Sequence, residues 1–306
     1  MVWGGNRISS YKGVDCDSPN IGESWELSAV SGSETVVLEG EYSGRTIAWL
    51  IEHFGADFLG RHVAEQYGGE FPLLVKFIDA SSDLSVQVHP DDALAVARGA
   101  KRGKSEMWYV VGAAEGAHLL SGISQKLTRE DYDNIAGTPA IMDYLCQHQV
   151  GEGDVFFLPA GRIHTIGAGC FVLEIQQSSD ITYRIYDYGR PGLDGKPRQL
   201  HTKEAADAID YRVYSDYKTD YQRIDNTGIQ LVSCPYFTTY LYHLTESLVM
   251  PMRQLDSFVA VVCTKGDGRV NGVSVKSGES LLIPACADEL LMVPGNQGMT
   301  LVTSYC

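Results

Sequence analysis

The sequence predicts a mostly β protein made of two β-barrel or jelly-roll halves, with a small helical insertion in the first half. Short apolar runs bounded by glycine and proline recur along most of the 306 residues, which is typical of antiparallel strands joined by turns. A glycine, five residues that end in an apolar run, and a proline occur in this order at 153–159 and again at 278–284. We therefore expect a first half over 1–225 and a related second half over 226–306.

The predicted strands follow one another closely in both halves. Thr46 is expected to cap a helix over 48–58, and Thr202 is expected to cap a helix that ends at Ile209. Two strands are expected within 24–40, and the other strands of the first half at 71–78, 84–89, 108–112, 154–158 and 170–176. Those of the second half are predicted at 236–244, 257–263, 272–275, 280–283 and 298–304.

The helical insertion is predicted at about 122–150, where the apolar period changes from two residues to about 3.6. Thr128 and the acidic residues after it resemble a capping box, and Thr138 before Pro139 is typical of a second helix start. These two short helices are expected to form a lid or wall within the first half.

Composition excludes several classes of protein. The net charge of −15 argues against nucleic acid and anionic membranes as partners, because both bind basic surfaces. No stretch approaches the roughly 20 apolar residues that span a bilayer, and the first residues lack the apolar run of a signal peptide. Seven scattered cysteines with no Cys-x-x-Cys pair indicate reduced thiols, so we expect a cytoplasmic protein.

Four side chains that can bind a metal lie on or beside predicted strands of the first half. Gln87 and His89 alternate along one strand and therefore point to the same face. Glu106 and His164 are expected to complete the set from neighbouring strands. Taken singly, His89 before Pro90 fits a turn and His164 fits a core position. Together, two imidazoles, a carboxylate and an amide oxygen suit Zn²⁺ or a similar divalent ion.

The segment from Gly153 to His164 resembles the second conserved motif of the cupins, and Gln87 stands where the first motif of that superfamily has a histidine. This substitution suggests a more specific resemblance, which extends over nearly the whole chain. The segments 87–92, 103–109 and 174–184 resemble type I mannose-6-phosphate isomerases in their short bacterial form, and those at 3–5, 22–28, 71–77 and 234–237 resemble further landmarks of that family in the same order.

The resemblance implies a double cupin that holds one Zn²⁺ per chain. It also implies an aldose-ketose isomerase, which interconverts mannose 6-phosphate and fructose 6-phosphate through a cis-enediol. The partner would be a small-molecule sugar phosphate, and no oligomeric state is predicted. The second half repeats the glycine and proline of the first but has no histidine after them, so we expect the metal-binding catalytic domain at 1–225 and a degenerate half without metal at 226–306.

Three catalytic residues are implied by the family, and each has a simpler alternative. Lys104 matches an active-site lysine near the sugar, but it also ends a basic run that water could solvate. Arg184 matches an essential arginine that gates the enediol step or holds phosphate, and Asp180 matches an aspartate of proton transfer or hydroxyl binding. A structural ion pair between these two is the alternative. Arg190, in an aromatic and basic stretch, is a second candidate for phosphate binding.

One departure from the family concerns the residue before the lysine. Longer relatives have a histidine there, whereas this chain has Gly103, so no role of that histidine is carried over. Two rival functions remain. A cupin oxygenase would need Fe²⁺ and usually more histidine ligands, which Gln87 disfavours. A non-catalytic sugar-phosphate sensor would keep the metal and the fold but would not turn over substrate.

Overall fold

The computed structural model describes residues 1–15, 20–192 and 194–306, and these residues are mostly β. The helices are α1 (Arg7–Lys12), α2 (Ile47–Phe54), α3 (Ala56–Leu59), α4 (Arg61–Tyr67), α5 (Asp92–Ala97), α6 (Arg129–Ile135), the 3-10 helix η1 (Pro139–Tyr144) and α7 (Thr202–Ala208). None of the helices in these ranges is long and apolar enough to span a membrane.

The strands form the larger part of the regular secondary structure in the described residues. They are β1 (Glu23–Leu27), β2 (Leu73–Asp79), β3 (Val86–Val88), β4 (Glu106–Ala113), β5 (His118–Ile123), β6 (Leu145–Gln149), β7 (Val155–Leu158), β8 (His164–Ile166), β9 (Cys170–Gln177), β10 (Tyr183–Tyr186), β11 (Gly228–Ser233), β12 (Thr238–Leu244), β13 (Leu248–Pro251), β14 (Val259–Val270), β15 (Val273–Lys276), β16 (Ser280–Ile283) and β17 (Glu289–Tyr305).

The chain forms two compact units whose boundaries are not simple cuts in the sequence. The first unit contains Met1–Ser10, Asp15–Ser24 and Phe77–Thr219, and the second contains Tyr11–Val14, Trp25–Lys76 and Asp220–Cys306. Residues from the N-terminal third thus pack with the C-terminal residues, for example through the rings of Phe71 and Phe258, whose centroids are 4.9 Å apart. The assignment of catalytic and degenerate domains to 1–225 and 226–306 stays a prediction.

The first unit contains two antiparallel sheets that remain open. Their strand orders are β1-β2-β9-β4-β7 and β10-β3-β8-β5-β6. Residues 23–24 of β1 and 77–79 of β2 belong to the first unit, and the other residues of these two strands belong to the second. Trp108 and Val110 of the first sheet pack in one core with Leu119 and Ile166 of the second. The mostly β, jelly-roll architecture is therefore confirmed, as a sandwich rather than a closed barrel.

The inner faces of the two sheets carry polar residues at one end and apolar residues at the other. Because side chains alternate along a strand, Glu106 shares a face with Trp108, and His164 shares one with Ile166. Trp108 and Ile166 belong to the apolar core, whereas Glu106, His164 and the Gln87 opposite it come one pleat earlier. The sequence thus gathers the polar side chains at one end of the space between the sheets, and the apolar core fills the other end.

The insertion follows the prediction in part. Thr128 and Asp131 form the reciprocal bonds of a capping box at the start of α6. The second element, η1, is a 3-10 helix that starts at Pro139, and Leu145–Gln149 form β6 instead of continuing as helix. In α7, Thr202 is the first helical residue rather than the cap, and His201 stands at the cap position.

Two predicted elements near the N-terminus are shorter in the structure. Within 24–40, β1 is the strand that forms, and Val36 makes an isolated bridge to Thr46. The Thr46 side chain accepts a hydrogen bond from the backbone N–H of Trp49, so it caps α2 as expected. The helix ends at Gly55, whose φ of 53° interrupts the regular backbone before α3 begins.

The second unit contains one sheet, with the order β11-β12-β17-β14-β15 and with β13 and β16 paired to β17 and β14. Its apolar core includes Val259, Val261 and Cys263, which alternate along β14 and therefore share a face. The predicted spacing is realised as a turn at Gly278, with φ of 85°, followed by β16 and then Pro284. The second half has therefore kept the fold of the motif.

Candidate active site

Four side chains converge at the polar end of the first unit. Nε2 of His89 lies 3.5 Å from Oε2 of Glu106, and Nε2 of His164 lies 3.2 Å from Oε1 of the same carboxylate. The amide nitrogen of Gln87 lies 3.2 Å from Nε2 of His164. Three of these residues are fully buried, and Gln87 is partly buried. The structure thus brings together the four residues that the sequence predicts as metal ligands.

The distances among these groups fit the coordination of a small divalent ion. Metal–ligand bonds of about 2.0–2.2 Å in a tetrahedron separate neighbouring ligand atoms by about 3.4 Å. The observed separations of 3.2 to 3.5 Å match that spacing. One atom each from His89, Glu106 and His164 also lies within 4.8 Å of the other two. Turning the Gln87 amide by half a rotation places its oxygen where the nitrogen lies, which supplies an oxygen ligand.

Both imidazole rings have their nitrogen atoms arranged for metal binding. Nδ1 of His89 lies 2.8 Å from the carbonyl oxygen of Ile181, and Nδ1 of His164 lies 2.8 Å from that of Arg162. A carbonyl only accepts, so Nδ1 of each ring carries a proton, and Nε2 is the ring nitrogen that faces Glu106. Burial lowers the pKa of His164 to about 3, which keeps this ring neutral at physiological pH.

The loop before β8 positions His164 through a glycine. Gly161 has φ of 90°, and its N–H donates to the carbonyl oxygen of His89 at 2.9 Å. A Cβ at this position would lie 3.0 Å from the carbonyl oxygen of Ala208. Glycine is therefore required both by the backbone conformation and by the close approach of a neighbouring segment.

Lys104 links the metal candidates to a second carboxylate. Its buried Nζ lies 2.9 Å from Oε2 of Glu106 and 3.9 Å from Oε1 of Glu174. The other oxygen of Glu174 accepts a hydrogen bond of 2.9 Å from the indole N–H of Trp108. The indole therefore fixes the carboxylate, and one of its oxygens faces the amine. Lys104 is buried beside Glu106 and is therefore not a solvated lysine, while its role in the site stays a prediction.

Glu174 is a site residue that sequence reasoning did not single out. It lies on β9 two residues before Gln176, which pairs directly with Glu106 in the sheet. The alternation along β9 could have indicated it, because Glu174 interrupts an apolar strand on the same face as Gln176. Ser85 likewise alternates with Gln87, and its hydroxyl lies 3.3 Å from Nε of Arg184.

Arg184 lies beside the metal candidates. It pairs with Gln87 across β10 and β3, as Gln87 pairs with His164 across β3 and β8, so the three side chains form a row on one face. One Nη atom donates to the carbonyl oxygen of Gln199 at 2.9 Å. Burial, followed by the nearby charge of Arg198, lowers the pKa of the Arg184 guanidinium.

Asp180 and Arg190 lie outside this buried cluster. Asp180 is exposed on the loop between β9 and β10, next to the Ile181 carbonyl that holds His89. No ion pair with Arg184 is formed among the described residues. Arg190 bonds to the carboxylate of Asp187 and lies 3.4 Å from the hydroxyl of Ser82.

Gly103 has a packing role at this end of the unit. Its N–H donates to Asp92 at 2.7 Å, and a Cβ would lie 2.5 Å from the backbone of Asp91. A histidine, as in the longer relatives, does not fit here without movement of the 90–92 segment. The departure from the family pattern therefore has a local structural reason.

A family model described as "Phosphomannose isomerase type I, catalytic domain" matches residues 1–109. The chain is 34% identical over 291 residues to mannose-6-phosphate isomerase ManA of Bacillus subtilis. This alignment covers 92% of this chain and 89% of that protein. It is also 34% identical over 290 residues to mannose-6-phosphate isomerase of Streptococcus mutans, with the same coverage.

A solved structure agrees with these similarities in sequence. The crystal structure of mannose 6-phosphate isomerase from Bacillus subtilis superposes with a TM-score of 0.87 at 28% identity. The match covers 100% of this chain and 96% of that one. The likeness therefore extends beyond the residues that the family model matches.

Proposed function

Because this chain belongs to the type I phosphomannose isomerase family, we propose that it interconverts mannose 6-phosphate and fructose 6-phosphate through a cis-enediol, in the site between the sheets of the first unit. The observation that carries this proposal is the convergence of Gln87, His89, Glu106 and His164 beside the amine of Lys104. The relatives that are 34% identical carry the same activity in their names.

The metal is proposed to be one Zn²⁺ per chain, held by these four residues. Two imidazoles, a carboxylate and an amide oxygen form a mixed nitrogen and oxygen set that suits zinc. When bound, the ion would polarise the substrate carbonyl and hold adjacent sugar oxygens. The protein supplies the orientation, since the carbonyls of Ile181 and Arg162 fix both rings.

Proton transfer is proposed for Lys104 and Glu174. Isomerisation moves one proton between C2 and C1 of the open-chain sugar, while a second proton moves between the two oxygens. An amine and a carboxylate 3.9 Å apart can serve these two transfers from neighbouring positions. Asp180 is exposed, so we assign to it the binding of a sugar hydroxyl rather than the transfer of the carbon-bound proton.

Arg184 and Arg190 are proposed to bind the phosphate. Arg184 follows Gln87 in the row of side chains and is held between Ser85 and the carbonyl oxygen of Gln199. An open-chain hexose that has C1 and C2 at the metal extends its phosphate away from the metal, towards such a neighbour. A guanidinium group can donate two parallel hydrogen bonds to two oxygens of one phosphate, which suits this role.

A coupled assay for fructose 6-phosphate, with protein reconstituted with Zn²⁺, tests the activity. We expect turnover, and binding of mannose 6-phosphate without turnover would identify a sensor instead. Elemental analysis of the Glu106→Ala and Lys104→Ala variants then separates the two groups of residues. The first variant should lose both metal and activity, and the second should keep metal but lose turnover. Fully active protein without metal contradicts the scheme.

A further inference from the structure

Two arginines of the first unit bond to one carboxylate beside the proposed active site, and the charge of a third arginine, Arg184, is close enough to interact with it. Asp187 directly follows β10 and is buried. Arg190 donates to its Oδ1 from Nε and Nη2, at 3.0 and 2.9 Å. Arg198 donates to Oδ2 from Nε and to Oδ1 from Nη2, both at 2.6 Å. The carboxylate therefore fixes two guanidinium groups at once.

Arg184 is linked to this cluster by a hydrogen bond to the backbone next to Arg198. Its Nη1 donates to the carbonyl oxygen of Gln199, the residue after Arg198. Arg184 is also the residue opposite the proposed ligand Gln87 in the sheet. The cluster of Arg184, Asp187, Arg190 and Arg198 thus adjoins the metal end of the sandwich.

The charge of the cluster is suited to an anion. Three guanidinium groups against one carboxylate leave two positive charges, in a chain whose net charge is −15. Like charges held close together repel each other, so an excess of this kind is stabilised by an anion. A phosphate monoester carries a charge of about −1.5 to −2 at neutral pH, which matches the excess.

Arg198 keeps part of its donor capacity available. Its Nε and Nη2 bond to Asp187, while Nη1 has no hydrogen-bond partner among the described residues. The side chain is 25% exposed, so this end of the guanidinium reaches solvent. Asp187 thus determines the orientation of the group without using all of its donors.

We propose that Arg198 is a further substrate-binding residue that donates to the phosphate together with Arg190, and that Asp187 is a positioning residue that fixes both guanidinium groups. This inference rests on the proposed function, since the phosphate is that of the sugar substrate. If instead Asp187 only ties the 190–198 segment to β10, its loss and that of Arg198 would lower stability and leave phosphate affinity unchanged.

The Arg198→Met variant tests the binding role, because methionine keeps the length of the stem and removes the charge. We expect KM for mannose 6-phosphate and the inhibition constant of inorganic phosphate to rise by about 10- to 100-fold, as for a lost hydrogen bond to a charged group. The kcat and the bound metal should stay close to those of the wild type. Arg253→Met is the matched control, since Arg253 forms an exposed pair with Asp288.

The Asp187→Asn variant tests the positioning role, because the amide keeps the shape of the side chain but not its charge. It makes the cluster more positive, so attraction alone would lower KM, whereas loss of orientation should raise it by about tenfold. A KM that falls or stays constant overturns the positioning role. Asp288→Asn is the control.

Calorimetry with inorganic phosphate on the wild type and the Arg198→Met holoenzymes keeps the two proposals separate. Equal affinity in both overturns the inference about Arg198, whatever the activity of the wild type. A wild type that binds phosphate more tightly than the variant but does not isomerise mannose 6-phosphate contradicts the proposed function and supports the anion site.

Discussion

The two copies of the glycine and proline motif have the same backbone but different side chains at the decisive positions. Gly153 and Gly278 both have positive φ, at 93° and 85°, and each comes two residues before a strand of four residues. Eleven residues after the glycine, the first copy has the buried His164 and the second has the exposed Glu289. The motif therefore encodes a turn and a strand, and metal binding depends on what the fold places opposite them.

The sheet register extends this comparison to Glu106. In the first unit Glu106 pairs with Leu158, which is five residues after Gly153. In the second unit Val259 pairs with Ile283, which is five residues after Gly278. Val259 therefore occupies the position that corresponds to Glu106, and it belongs to the apolar core of its unit. In the first half this inner face carries a proposed metal ligand, and in the second half it carries part of the apolar core.

The largest effect is expected when Glu106 of the first half is replaced by valine, the residue that the second half has at the corresponding position 259. Glu106→Val removes the carboxylate that faces both imidazoles and Lys104. We expect loss of bound metal and a fall in isomerase activity of at least about 10³-fold, because the proposed ligand and the partner of a buried amine are lost together. Elemental analysis and the coupled assay measure both effects. Glu279→Gln, at a surface turn, is the control, and an active Glu106→Val protein would refute the comparison.

The reverse exchange, Val259→Glu, should destabilise the protein without creating a metal site. Val259 is fully buried among apolar side chains, so the new carboxyl group would lack partners there. We expect the free energy of unfolding to fall by about 3–5 kcal/mol. Urea unfolding measures this change, with Val259→Ile as the conservative control. A Val259→Glu protein as stable as the wild type would show that this face is not packed as described.

A smaller effect is expected at the turn after the motif proline, where Gly161 and Cys286 correspond. Gly161→Cys introduces a side chain at φ of 90°, where its Cβ meets a backbone carbonyl at 3.0 Å. We expect destabilisation of about 1–3 kcal/mol and weaker metal binding, because this turn precedes His164. The matched exchange Cys286→Gly, at an exposed position, should change the melting temperature little. Equal effects of the two exchanges would mean that the turns are equivalent.

The smallest effect concerns the reactivity of the cysteine thiols. This reactivity should depend on whether a thiol is buried or exposed and not on which half contains it. Burial raises the pKa of Cys170 to about 11 and that of Cys263 to about 12, and both thiols lie in apolar cores. A thiol reacts as its thiolate, which forms as the pH rises towards the pKa, so both should stay unreactive at pH 8. Cys286 is exposed and should react. Mass spectrometry of iodoacetamide-treated native protein checks this, and unfolding in urea should expose all three.

The metal candidates could be predicted because their evidence is local. Alternation places Gln87 and His89 on one face, and the spacing after Gly153 identifies His164, so short segments carry the information. Thr128 could be recognised for the same reason, since a capping box lies within four residues. Such patterns depend on the backbone of one element and not on what packs against it.

Other features depend on contacts between distant parts of the chain. The place of residues 25–76 in the second unit depends on contacts such as that of Phe71 with Phe258, which no local pattern indicates. Glu174 becomes a site residue only when β9 is paired with β4. The spacing of Asp180 and Arg184 suggested a pair, but the chain leaves the sheet after Gln177 and Asp180 is exposed.

The hydrogen bond between the imidazole of His89 and the carbonyl oxygen of Ile181 has a consequence beyond the tautomer of the ring. Ile181 lies three residues before Arg184, so the peptide that anchors the imidazole also begins the approach to β10. Binding of the metal ion at His89 and ordering of the peptide at Ile181 are then linked equilibria. Removal of the metal by a chelator would therefore loosen the residues proposed to bind the sugar phosphate, and tight binding of that substrate would slow release of the metal.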